Sequence, residues 1–79
     1  MIIKVLGPGC SKCKALEIST REAINEMSIS AEIEKVEDIV KIMNYGIMST
    51  PALVINGKVV LSGRVPSITE LKEVLTKNQ

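Results

Sequence analysis

Two cysteines three residues apart, Cys10 and Cys13, stand between an apolar run, Ile2 to Leu6, and a segment with helical periodicity. They are the only cysteines in the chain. That position constrains the fold more than the spacing does. A strand that ends in C-x-x-C and opens a helix puts a thiol at the positive end of the helix dipole. The dipole and the unpaired N–H groups there lower a thiol's pKa. One helical turn also brings residues i and i+3 within reach of a disulfide. The pattern points to a dithiol/disulfide redox site.

With 79 residues the expectation is one domain, residues 1–79, around one small core. The chain has no Phe or Trp and one Tyr, so that core must be aliphatic. Ten Lys/Arg against nine Asp/Glu give a formal charge of +1, without long runs of one sign. Neither a basic footprint nor stacking aromatics point to nucleic acid. The N-terminal apolar stretch is shorter than the roughly 7–15 residues of a signal-peptide core. No run approaches the ~20 residues of a membrane span. A cytoplasmic protein is expected, and there a lone cysteine pair is more often catalytic or metal-binding than a structural staple. A bridge closing so short a loop would also remove little chain entropy.

Ile2 to Leu6 reads as the first strand, ended by Gly7-Pro8-Gly9. Lys12 to Met27 reads as a helix with Leu16, Thr20, Ala23, Ile24 and Met27 on its core-facing stripe. Glu17 and Arg21 form an i,i+4 pair on its outer face. Ala31 to Val36 alternates weakly and suits an edge strand. Asp38 can cap a short helix with Ile39, Ile42 and Met43 buried and Gly46 as its stop. Ala52 to Ile55, Asn56-Gly57 and Lys58 to Leu61 form a hairpin with a type I′ turn. Consecutive apolar positions in both strands imply a sheet covered on both faces by helices. Val59-Val60-Leu61 leaves open whether the last strand is an exposed or a covered edge, and with it the oligomeric state. Ser67-Ile68-Thr69-Glu70 is a capping box for a last helix buried through Ile68, Leu71, Val74 and Leu75. The order is βαβαββα.

Disulfide exchange requires one exposed, acidic thiol as the attacker. Cys10, at the helix start, is expected to attack a substrate disulfide. Cys13, one turn in and more buried, would resolve the mixed disulfide. Lys12 and Lys14 add positive charge that favours the thiolate, so Cys10 should fall in the ~3.5–7.5 range known for such sites. The rival reading is a metal carrier or thiol-bridged dimer with Cys10 and Cys13 as soft-metal ligands. Two thiolates are half of a tetrahedral zinc site, and the chain has no histidine. That reading needs a second subunit, a small thiol or a two-coordinate ion such as Cu(I).

The C-x-x-C between first strand and first helix, Ser49-Thr50-Pro51 before the hairpin, Asn56-Gly57 and the final helix together resemble the thioredoxin fold. The chain is similar to the small glutaredoxin-like, redox-active disulfide proteins of archaea and bacteria, over essentially its whole length. The resemblance implies an α/β architecture, a four-stranded mixed sheet with helices on both faces. It implies a thiol–disulfide oxidoreductase without a bound cofactor, fed by an upstream reductase and acting on a disulfide-containing protein. It also implies that Pro51 follows a cis peptide bond beside the cysteines and that the Thr50 backbone pairs with an extended substrate segment.

The chain departs from that pattern in four places. Thioredoxins carry Gly-Pro between the cysteines and Trp before the first, whereas this chain has Ser11-Lys12 and Gly9. The family's buried acid on the incoming strand is matched by Lys4, which either faces the cysteine pair or points away from it. Glutaredoxins hold glutathione with a Gly-Gly and an acidic residue after the last strand. Here Leu61 to Pro66 keeps one glycine and offers Arg64 as a cation. Tyr45 and Met48 are either border residues of the site or packing residues. Among C-x-x-C proteins, potentials span roughly −270 to −120 mV, and Ser-Lys assigns no value in that range.

Overall fold

The computed structural model describes residues 1–9, 11–47 and 49–78. Its elements follow the order read from the sequence: β1 (Ile2–Leu6), α1 (Ser11–Met27), β2 (Glu32–Val36), α2 (Ile39–Asn44), β3 (Ala52–Ile55), β4 (Lys58–Ser62) and α3 (Ile68–Lys77). The sheet runs β2-β1-β3-β4. β1 is parallel to β2 and antiparallel to β3, and β3 is antiparallel to β4. β2 is the edge strand its weak alternation suggests.

Strand alternation sorts the core into two layers. Ile3 and Val5 point to one face, where they pack with Leu16 and Ala23 of α1, Leu53, Ile55 and Leu61 of the hairpin, and Leu71 and Leu75 of α3. Leu6 points the other way and joins Val36, Ile42, Ala52 and Val54 under α2. β3 is buried at all four positions because both faces are covered. Thr20, fully buried within α1, satisfies its hydroxyl by donating to the Leu16 carbonyl at 2.7 Å.

The local signals act as their chemistry dictates. Asn56 and Gly57 both take positive φ, as a type I′ turn needs. Asn56 also accepts from the Ile2 N–H at 2.9 Å through its side chain, fastening the hairpin turn to the start of β1. A bulge between Leu53 and Val54 shifts the pairing so that Val59 and Val60 are both half-buried and Leu61 is buried. The β4 edge is therefore covered on its faces. Asp38 caps α2 by accepting from the Val40 N–H at 2.9 Å. Ser67 caps α3 by accepting from the Glu70 N–H at 3.2 Å.

One expectation fails. In α2 only Ile42 is buried, whereas Ile39 and Met43 are 55% and 66% exposed. The helix has six residues, fewer than two turns, so a single position can point squarely at the sheet.

Candidate functional site

The site lies where β1 turns into α1. β1 ends at Leu6, Gly9 turns the chain with a φ of 87°, and α1 starts at Ser11. Cys10 lies outside the described residues. Cys13 sits in the first turn of α1 and is 6% exposed. Its burial depends on a glycine. A Cβ at Gly7 would overlap Cys13 Sγ, lie 3.1 Å from its Cβ and come within 4.0 Å of Pro51 Cα. Gly7 thus packs against Cys13 and lies near Pro51, and its N–H donates to the Val36 carbonyl at 2.9 Å.

Pro51 approaches the same glycine. The Thr50–Pro51 peptide bond is cis. Pro51 is buried and Thr50 half-buried, and the Pro51 carbonyl accepts from the Gly63 N–H at 2.8 Å. The structure therefore brings Cys13 and Pro51 together, with Thr50 adjoining. Lys12 and Lys14 are exposed on the first turn of α1. No acidic residue occupies that turn.

Lys4 does not reach Cys13. It alternates with Ile3 and Val5, which face α1, and so falls on the α2 face. There its ammonium donates to the Tyr45 hydroxyl at 3.2 Å and stands 5.9 Å from the ring centroid. That hydrogen bond, with the nearby Glu34 charge, holds Lys4 above its ordinary range. The two residues border a cavity of about 450 Å³ shared with Glu34 and Lys41. Tyr45 packs against the Leu6–Ile42 layer; Met48 lies outside the described residues. Arg64 is engaged as well. It makes a two-pronged bond to the Glu70 carboxylate, which it holds below the usual carboxylate range.

The Glu17–Arg21 pair read from the sequence forms, but its place in a charged group beside Cys13 has no counterpart there. Glu17 accepts from Arg21 at 3.0 Å and also meets Lys35 of β2 at 3.4 Å. Arg21 foremost, then Lys35, holds its carboxyl below the usual range. Glu37, just past β2, places Oε2 3.7 Å from where a Cβ on Gly9 would be. Glu17, Lys35, Glu37 and Lys14 line, with Cys13, a second cavity of about 320 Å³. The available signal was the parallel pairing of the first two strands, which sets Lys35 opposite Val5 beside the first helix.

The family follows from comparison with known proteins. A thioredoxin domain model matches residues 1–76. The chain belongs to the thioredoxin domain family. It is 38% identical over 76 residues to a thioredoxin of Methanothermobacter thermautotrophicus, covering 96% of this chain and 99% of that protein. Two thioredoxins of Methanocaldococcus jannaschii are also similar. One is 35% identical over 75 residues, covering 95% of this chain and 86% of its own length. The other is 38% identical over 73 residues, covering 89% and 85%. Membership makes the chain a disulfide oxidoreductase, with the mixed sheet and helix arrangement of the thioredoxin fold. Among the described residues no helix is long and apolar enough to cross a membrane.

Proposed function

We propose that residues 1–79 act as one cytoplasmic domain that moves two electrons between proteins through Cys10 and Cys13, without a bound cofactor. Cys10 attacks a disulfide of a protein substrate and forms a mixed disulfide. Cys13 then attacks the Cys10 sulfur, releases the reduced substrate and leaves the Cys10–Cys13 disulfide. An upstream reductase returns the pair to the dithiol. Thr50, ahead of the cis bond, offers backbone groups to an extended substrate segment, and Pro51 closes the site beside Cys13.

The observation that carries this reading is the placement of Cys13. It is buried one turn into α1, against Gly7 and near Pro51. A thiol there is screened from external disulfides yet one helical turn from position 10, as a resolving cysteine must be. The lysines support the other half. Cations in the first turn oppose the helix dipole and cost helix stability. Lys12 and Lys14 occupy that turn without an acidic residue to offset them. Their charge favours a thiolate at position 10.

The test is a redox titration of metal-free protein, with thiols trapped by alkylation and counted by mass. A reversible two-electron transition that vanishes in Cys10→Ser and in Cys13→Ser is expected. Cys13→Ser should accumulate the mixed disulfide, and Cys10→Ser should not form it. Failure to form an intramolecular disulfide, or thiols protected by copurifying metal, would put a soft-metal carrier in its place.

A further inference from the structure

Cys13 must lose a proton to act. Thiolate is the attacking form in disulfide exchange. The thiol is 6% exposed on the Leu16 side of the sheet. The strand position that could have offered an acid carries Lys4, which is turned to the opposite face and bonded to Tyr45. The attack also calls for a proton acceptor.

The cavity of about 320 Å³ beside Cys13 supplies one. At about 30 Å³ per water it is roomy enough for a short water relay. Four charged side chains line it: Lys14 and Glu17 from α1, Lys35 and Glu37 from the end of β2. The lysines are cationic and accept nothing. Glu17 is already held by Arg21 and Lys35, so its carboxylate is a weak base. Glu37 has no ion pair or hydrogen bond to its carboxylate among the described residues. Its backbone is nevertheless held in place. The preceding residue, Val36, is buried and accepts from the Gly7 N–H, which ties Glu37 to the Gly7–Gly9 turn.

We propose that Glu37 takes the proton of the Cys13 thiol, through the cavity the two side chains share, as Cys13 attacks the mixed disulfide. The inference rests on the roles assigned above to Cys10 and Cys13. In the step, the Cys13 S–H bond breaks and its proton passes to the Glu37 carboxylate and on to solvent. The Cys13–Cys10 S–S bond forms as the Cys10–substrate S–S bond breaks. The leaving sulfur departs with the electron pair as a thiolate. The dithiol loses two electrons and the substrate disulfide gains them.

Dithiodipyridine, a neutral chromogenic disulfide, separates the two stages. Attack by Cys10 releases one thiopyridone, and attack by Cys13 on the resulting adduct releases a second. Stopped-flow absorbance should show two equivalents from the reduced protein and one from Cys13→Ser. General-base assistance by direct contact is worth ~10²–10⁴-fold, so acting through a relay Glu37→Gln should slow the second phase about tenfold or more near neutrality. The first phase should be unchanged. Its second-phase rate should then climb steeply with pH as the thiolate fraction grows, whereas the parent profile stays flatter. Glu37→Asp should restore part of the rate, and Glu34→Gln, which does not line the Cys13 cavity, should change nothing. A second phase in Glu37→Gln with the parent rate and profile overturns the inference while leaving the redox reading intact. The same holds if Glu17→Gln, and not Glu37→Gln, slows it. One equivalent from the parent protein defeats the redox reading, and the inference with it. Thermal melting of each variant separates a folding defect from loss of the acceptor.

Discussion

The two faces of the sheet are built to different depths. On one, α1 and α3 lie side by side over Ile3, Val5, Leu53 and Ile55, and an ion pair from Lys72 to Glu26 at 2.8 Å ties the helices together. On the other, a six-residue helix contributes one buried side chain, Ile42, and leaves Ile39, Val40 and Met43 exposed. Cys13 belongs to the deep face, while Lys4 and Tyr45 belong to the shallow one. The contrast teaches where rigidity is placed. Cys13 and the glycine packed against it sit in the thick layer, where packing fixes geometry. The shallow layer closes the sheet with little material.

If that contrast is real, Leu16→Ala should be the most damaging of the simple truncations. Cavity formation at a fully buried leucine costs ~2–5 kcal/mol, which urea denaturation should report as a lower midpoint. A loss no larger than that of Ile42→Ala, expected near the lower end of that range, would break the comparison. Gly7→Ala sharpens it at the site itself. The added methyl overlaps Cys13 Sγ, and overpacking of this kind costs ~1–3 kcal/mol. Unlike Leu16→Ala it should also impair closure of the Cys10–Cys13 disulfide, read by alkylation after mild oxidation.

On the shallow face, Ile39→Ser and Met43→Ser should each stay within ~0.5 kcal/mol of the parent, as exposed positions do. A drop of several degrees in melting temperature would show that these side chains are covered in solution. The smallest effect concerns pH. Glu17 is held below its ordinary value of 4.5, chiefly by Arg21. Its contribution to stability is present above that value and is lost as pH falls through the depressed one. Glu17→Gln should therefore flatten the acid limb of stability against pH, and an unchanged limb would remove Glu17 from the deep face's support.

Much of this was legible from short-range chemistry. Asn56-Gly57 specifies a turn because both positions need positive φ, and Ser67 and Asp38 announce helix starts by offering oxygens to orphan N–H groups. The capping box at Ser67-x-x-Glu70 was only half informative. The serine caps, but the Glu70 carboxylate bonds Arg64 across the loop. The α2 stripe failed for a related reason, since spacing reveals which residues share a face but not whether a short helix presses that face to the sheet. At the site, the bond before Pro51 is cis as the resemblance implies, and the roles of Cys10, Cys13, Thr50, Pro51 and Lys12 stand as proposals.

The sequence by itself determined the element order, the turn and caps, the aliphatic core and the position of the cysteine pair at a strand–helix junction. Each of those depends on residues within a few positions of one another, where backbone preferences and side-chain periodicity act directly. Only the tertiary structure decided that Lys4 turns from Cys13 toward Tyr45, that Gly7 meets Cys13 and comes near Pro51, and that Glu17, Lys35 and Glu37 gather in one cavity. Those neighbours come from different elements. Their approach is set by sheet register and by helix docking, which are properties of the packed chain as a whole.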